Sequence, residues 1–271
     1  MQFWQNIYSH FDPVAFNLGP VAVHWYGIMY ALALLSAIFI AKWFIKYDKI
    51  NIKEDIFDSY IWWAEIGVIL GARLGYILFY DTHTMYYLTN PWQIFNPYIN
   101  GVYAGISGMS YHGAFIGFII ASLLFAKRKK VNFWFVTDIA VLGISAAYIF
   151  GRLGNFFNQE LVGRVTEVPW GIYVGNSLRH PSQLYEAILE GLVVFLLLLY
   201  FRKRKTFDGQ LALLYGIFYA IARIIAEFYR EPDSQLGFLA GNWLTMGMLQ
   251  SFGIFIICVA FYMVKRKKQI I

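Results

Sequence analysis

The sequence predicts an all-α polytopic membrane protein, a single integral membrane domain over residues 1–271 with seven transmembrane helices. The N-terminus is expected outside, the C-terminus in the cytoplasm, and a small head on the extracytoplasmic side. Three observations predict this. Only 14% of the residues are charged and 59% are hydrophobic, against about 25% and 45–50% in soluble domains. Seven apolar runs approach or exceed the roughly 20 residues that cross a bilayer: 22–44, 57–80, 109–126, 133–151, 183–201, 210–229 and 243–264. Basic residues gather at the ends of alternate runs, as cytoplasmic loops require.

Residues 1–20 carry Phe3, Trp4, Ile7, Tyr8, Phe11 and Phe16 and no lysine or arginine. They read as an aromatic segment on the outer interface, and without a basic start they do not resemble a cleavable signal peptide. The first run is followed by Lys42, Lys46, Lys49 and Lys53. The second carries Glu65 and Arg73 and leads into a second interfacial segment, 81–108, with Tyr86, Tyr87, Trp92, Phe95, Tyr98 and Tyr103 and no Lys or Arg. The third opens at His112 and closes on Lys127, Arg128, Lys129 and Lys130, and the fourth carries Asp138. A polar outer loop, 152–182, precedes the fifth, where Pro181-Ser182 suits a helix start. That run holds Glu186 and Glu190 and ends on Arg202, Lys203, Arg204 and Lys205. The sixth holds Arg223 and Glu227 and stops before Pro232, and the seventh ends on Lys265, Arg266, Lys267 and Lys268.

Those clusters hold sixteen of the 22 basic residues, so the net charge of +6 is a topology signal and not a nucleic-acid footprint. The single cysteine, Cys258, excludes an internal disulfide and a CxxC metal site, and its apolar surroundings read as packing. No GxSxG elbow, Walker loop, HExxH or Cys/His metal spacing is present.

The six basic residues outside the clusters are all arginines: Arg73, Arg152, Arg164, Arg179, Arg223 and Arg230. A charge near the hydrocarbon region costs about 2.5–3.5 kcal/mol on insertion scales and calls for a partner. Arginine keeps its charge there and offers a planar fork suited to phosphate or carboxylate. Arg223 and Glu227, four residues apart, can pair on one helix face. Such pairs either lock helices together or leave cations for an anion, and the excess of arginine over acids on the outer side favours the second. Asp138 and Glu190 read as structural. His112, in Gly108-Met109-Ser110-Tyr111-His112-Gly113-Ala114, is either a packing residue or a general base at the depth of the arginines. The stretch Gly151 to Arg164, with its glycines, amides and guanidiniums, suits a phosphate.

Several blocks resemble the bacterial prolipoprotein diacylglyceryl transferases. They are Phe11-Asp12-Pro13, His24-Trp25-Tyr26-Gly27, Gly108 to Gly113, Gly151-Arg152-Leu153-Gly154-Asn155-Phe156, Arg179 to Glu186, and Glu227 to Asp233. Ala114 stands where that family usually has a second glycine, and the outer stretch 164–179 is short. The resemblance implies a reaction. The diacylglyceryl unit of phosphatidylglycerol moves to the thiol of a preprolipoprotein's lipobox cysteine, a thioether forms, and glycerol phosphate leaves. It implies a bacterial cytoplasmic membrane, a site towards the extracytoplasmic side, membrane lipids as surroundings, and no cofactor or metal. His112, Arg152 and Arg223 would be catalytic, the histidine as base to the thiol and the arginines stabilising charge on the phosphate. Asn155 would add a donor, Glu227 would orient Arg223, and Tyr26 would position the lipid headgroup. Glu160, Gly163, Tyr219 and Arg230 would complete substrate binding. From the residues alone, a transporter or a phospholipid-processing enzyme with another acceptor remains open.

Overall fold

Apolar side chains face outward and charged ones inward. Phe39 is 70% exposed, whereas Glu186 and Glu190 are fully buried. That inversion suits a protein solvated by lipid instead of water. The computed structural model describes residues 2–19, 21–99, 102–103, 108–232 and 237–270. Asp233 of the last matched block, and 100–101 and 104–107 of the expected outer segment, lie outside the described residues.

The described chain is mostly helical. It runs α1 (Gln2–Gln5), β1 (Val14–Leu18), β2 (Val21–His24), α2 (Trp25–Tyr47), α3 (Glu54–Phe79) and α4 (Thr84–Thr89). Then follow β3 (Tyr98–Ile99), β4 (Val102–Tyr103), α5 (Tyr111–Lys129), α6 (Phe133–Phe157), β5 (Ile172–Val174) and β6 (Ser177–Arg179). The last part comprises α7 (Ser182–Glu186), a π-helical stretch (Ala187–Val193), α8 (Val194–Arg202), α9 (Gln210–Glu227) and α10 (Met246–Ile270). The strands form three antiparallel hairpins, β1–β2, β3–β4 and β5–β6.

Six helical segments are long and apolar enough to cross a membrane: Trp25–Tyr47, Glu54–Phe79, Phe133–Phe157, Ser182–Arg202, Gln210–Glu227 and Met246–Gln269. They overlay six of the seven expected spans. Helix α5, over the remaining one, is not among them: its 19 residues include Tyr111, His112, two glycines and a last turn of Lys127, Arg128 and Lys129. The expected end of the fourth span also moves. Helix α6 continues past 151 to Phe157, so Arg152 and Asn155 sit on its last turns instead of in the outer loop. The outer stretches read from sequence as interfacial or loop contain β3–β4 and β5–β6, while β1–β2 runs from 1–20 into the expected first span, whose helix starts at Trp25; periodicity over a few residues cannot reveal such short elements.

The chain divides into two compact units, residues 51–137 and residues 1–50 with 138–271. In the first, α3 and α5 meet through facing glycines. A Cβ on Gly75 would lie 2.6 Å from the Gly113 Cα, and one on Gly71 2.7 Å from the Gly117 Cα. Gly67 and Gly117 are equally tight against each other. Small residues every fourth position let two backbones touch, the packing that membranes use when no hydrophobic drive exists between helices. Ser110 caps α5 by accepting from the Gly113 N–H at 3.2 Å, and its own N–H donates to Ala72 O at 2.9 Å. Arg73 is buried and donates to the carbonyls of Ile94 (2.6 Å) and Gly108 (3.1 Å), with Tyr87 Oη at 3.4 Å.

In the second unit Phe44, Val141, Leu142, Val194, Leu198, Leu211, Leu214 and Ala222 form an apolar core. Buried Asp138 accepts from the Gly209 N–H (2.8 Å) and the Ala212 N–H (2.9 Å), with Lys205 Nζ at 3.0 Å. It therefore satisfies the open amides at the start of α9. The α9 glycine Gly216 packs against Cys258 of α10, which places that thiol in a helix–helix contact.

Candidate active site

Three helices of the second unit supply one buried ionic cluster. Arg152 stands near the end of α6, Glu186 ends α7, and Arg223 lies one turn before the end of α9. Arg152 Nε lies 3.0 Å and Arg223 Nη1 3.1 Å from the same oxygen, Glu186 Oε2. Arg230 Nη1 approaches that oxygen at 3.8 Å. Arg223 also pairs with Glu190 Oε1 at 3.4 Å and with Glu227 across one helical turn. Glu190 falls in the π-helical stretch, where the wider turn keeps it near the face that carries Glu186. Guanidiniums from α6 and α9 thus converge on one anion position.

The cluster is tied down on every side. Tyr148, one turn before Arg152, accepts from Arg152 Nε at 2.9 Å and donates to Glu190. Its ring meets Tyr219 edge-on at 5.6 Å between centroids. Thr245 Oγ1 donates to Glu227 Oε2 at 2.6 Å, and Gly247 leaves the room this carboxylate needs: a Cβ there would lie 2.6 Å from its Oε1. Glu227 therefore pairs with Arg223 across one turn of α9 while Thr245 holds its other oxygen.

From Arg152 the polar chain runs outward. Arg152 Nη1 donates to Asn155 Oδ1 (3.3 Å), and Asn155 Nδ2 donates to Glu160 Oε1 (2.8 Å). Gln159 and Leu161, both non-glycine residues at left-handed φ (58° and 54°), turn the chain so that Glu160 faces back onto α6. Gln183 Nε2 donates to the Glu160 carbonyl at 2.6 Å. Tyr26 lies against Gly154, where an added Cβ would meet its ring at 3.3 Å.

Gly163 fits between two strands of backbone. Its N–H donates to His180 O at 3.0 Å, and a Cβ would lie 2.6 Å from Tyr229 O. Arg164 donates to the carbonyls of Arg230 and Glu227, both at 2.9 Å, and so closes the C-terminal end of α9. Arg179 donates to Gly163 O (3.0 Å) and pairs with Glu231 (3.3 Å). His180 contacts Tyr185 Oη through Nδ1 at 3.2 Å, and burial pulls its imidazole below the ordinary value.

The structure thus brings Arg152, Asn155, Glu160, Tyr219, Arg223, Glu227 and Arg230 into one connected set, with Tyr26 and Gly163 beside its members. His112 belongs to the other unit, at the exposed first turn of α5, with Nδ1 3.5 Å from Tyr80 Oη. Each of the six arginines outside the clusters has a described partner: a carboxylate for Arg152, Arg179, Arg223 and Arg230, and backbone carbonyls for Arg73 and Arg164. The sequence picks out Glu186 only as one of the charges of a buried ionic network and marks no role for Tyr148, Thr245 or Gly247. The four-residue spacings Tyr148–Arg152 and Glu186–Glu190 are the available signal for the first two, and nothing points to the last two. Among the described residues, no group of three or more His, Cys, Asp or Glu converges in a way that could hold a metal ion.

Fold and site together define a polytopic helical membrane protein with a buried arginine–carboxylate cluster. A model of the family described as prolipoprotein diacylglyceryl transferase matches residues 13–264, and the chain belongs to that family. It is 82% identical over 267 residues to the phosphatidylglycerol–prolipoprotein diacylglyceryl transferase of Aliarcobacter butzleri (strain RM4018), covering 98% of each chain. Enzymes of that name from Wolinella succinogenes (58% identity, 98% of this chain and 97% of the relative) and Campylobacter jejuni (56%, 100% and 99%) are similar along the same length.

Proposed function

We propose that the protein transfers the diacylglyceryl group of phosphatidylglycerol to the lipobox cysteine of preprolipoproteins. The observation that carries this reading is the meeting of Arg152 and Arg223 at a single oxygen position. Two forked cations from separate helices suit a phosphate, whose oxygens can replace a carboxylate oxygen between them.

The sulfur attacks the glyceryl carbon that bears the phosphate ester, a C–S bond forms, and the C–O bond breaks with its electron pair leaving on oxygen. Phosphodiester becomes glycerol phosphate, so negative charge grows on the phosphate as the bond lengthens. Prepositioned guanidiniums stabilise that growth by roughly 2–4 kcal/mol each, by analogy with other fixed donors. Only the thiolate attacks well, and free thiols ionise near pH 8.5, roughly. His112 is the proposed base. Asn155 and Glu160 support Arg152, Glu227 orients Arg223, and Tyr26, Gly163, Tyr219 and Arg230 shape the lipid-binding surroundings.

The topology in this reading is seven spans, counting α5, with the N-terminus outside the cytoplasmic membrane and the C-terminus inside. The basic clusters that close alternate spans support it. The site then faces the extracytoplasmic leaflet, within the membrane lipids that supply phosphatidylglycerol.

Purified protein mixed with labelled phosphatidylglycerol and a lipobox peptide should label the cysteine peptide and spare its Cys→Ser counterpart. Labelled diacylglycerol accumulating equally with both peptides would instead make water the acceptor and overturn the transferase reading.

A further inference from the structure

We propose that Glu186 is a displaceable counter-anion: it fills the anion position between Arg152 and Arg223 in the empty site and takes up a proton when a lipid phosphate replaces it. This rests on the phosphate reading of the arginine pair and adds a residue and a proton to it.

Three observations carry the inference. First, the Glu186 carboxylate is one-sided. Oε2 sits among three guanidiniums at 3.0, 3.1 and 3.8 Å, whereas the fully buried Oε1 has no hydrogen-bond partner among the described residues. A carboxylate built only to lock helices would have both oxygens satisfied, since an orphaned buried acceptor destabilises the fold. Second, the carboxylate reaches the arginines from a third helix. Arg152 is already held by Tyr148 and Asn155, and Arg223 by Glu190 and Glu227, without Glu186. The guanidiniums therefore keep their places if Glu186 lets go. Third, the charges leave no surplus. Counting Arg230, three described cations face Glu186, Glu190 and Glu227 in a buried site.

An incoming phosphodiester adds one negative charge to that set. In a poorly solvated site like charges repel strongly, and the least expensive remedy is to neutralise one carboxylate. The groups facing Glu186 are Arg152 and Tyr148 on α6, Arg223 on α9, Arg230 beyond it, and Glu190 on its own rod. Once the phosphate takes the two guanidiniums, Glu186 keeps the repulsion of Glu190 and loses its main cations. It then binds the proton. A group that gains a proton on binding makes binding tighter at low pH, by up to about tenfold per pH unit.

The test is calorimetric titration of phosphatidylglycerol into the full chain held in zwitterionic detergent micelles, in buffers of different ionisation enthalpy between about pH 5.5 and 8.5. The wild type should take up close to one proton per lipid, with affinity falling as pH rises. Glu186→Gln should bind without proton uptake, with a flat pH profile and, at the alkaline end, several-fold tighter than wild type. Glu190→Gln removes the neighbouring repulsion and one negative charge from the set, so it should take up clearly less than the wild type's proton. Proton-neutral, pH-independent binding by the wild type would overturn the proposal with no variant needed, as would unchanged uptake in Glu186→Gln. Arg152→Ala separates the two levels. If it binds phosphatidylglycerol as the wild type does, the phosphate reading fails; if it loses the lipid while wild-type binding is proton-neutral, only the role of Glu186 fails.

Discussion

The α3–α5 contact and the Arg152–Glu186–Arg223 cluster solve the same problem with opposite materials. Each must join helices in lipid, where burying apolar surface gives no drive. Helices α3 and α5 do it by subtraction: Gly67, Gly71 and Gly75 remove side chains until backbone meets backbone at Gly113 and Gly117. The cluster does it by addition, placing guanidiniums and carboxylates in a buried space and satisfying nearly all of them. Close packing is cheap and mute. Buried ion pairs repay their desolvation poorly as stabilisers, so a protein that keeps them in a membrane keeps them for work. In the proposed reading, chemistry resides in the region that a simpler, apolar contact could have replaced.

Breaking the cluster should therefore cost activity, and breaking the glycine contact should cost the fold. Arg152→Ala and Arg223→Ala should each lower transfer about 10²–10³-fold while the protein stays folded. In the proposed reading the two act on one phosphate, so the double variant should be scarcely worse than either single one; losses that multiply would mean the arginines act separately. Gly117→Leu should be the converse case. It drives a side chain into the Gly67 backbone, which cannot yield, and should lower stability by at least the roughly 1–3 kcal/mol of overpacking, read as a fall in Tm in detergent. His112→Gln should slow transfer most at low pH, where thiolate is scarce, with the roughly 10²–10⁴-fold range of general-base catalysis as the upper scale. Full activity from about pH 6 to 8 would remove the base role. The smallest effect belongs to His180. Burial lowers its pKa, so its neutral form is favoured in the folded state and stability should decline as pH falls through the ordinary imidazole value of 6.5. His180→Asn should flatten that decline in a pH series of melting curves.

Much of this is legible in the sequence because membrane proteins separate their signals. Twelve lysines confined to span ends mark topology, so the six stray arginines stand out as something else. Arg223 and Glu227 can be paired from their spacing alone. The sequence singles out Arg152 but suggests a loop for it, because the stretch Gly151 to Arg164 is so polar, whereas α6 runs through Gly151 and Gly154 to Phe157. A transmembrane helix tolerates such glycines where a neighbour must approach, and Tyr26 does so at Gly154. Glu186 is visible as an acid in an apolar run, but its centrality is not. Its partners come from α6 and α9, and a convergence of three helices leaves no trace in local spacing. Thr245 and Gly247 are invisible for the same reason, being ordinary residues that matter only because Glu227 lies opposite them.

Whether the two arginines hold a phosphate would be decided by an experimental structure of the protein with a non-transferable phosphonate analogue of phosphatidylglycerol. Phosphonate oxygens should lie within hydrogen-bond distance, about 3 Å, of both Arg152 and Arg223, with Glu186 no longer between them. An analogue bound elsewhere, with both guanidiniums still closed on the Glu186 carboxylate, would contradict that assignment.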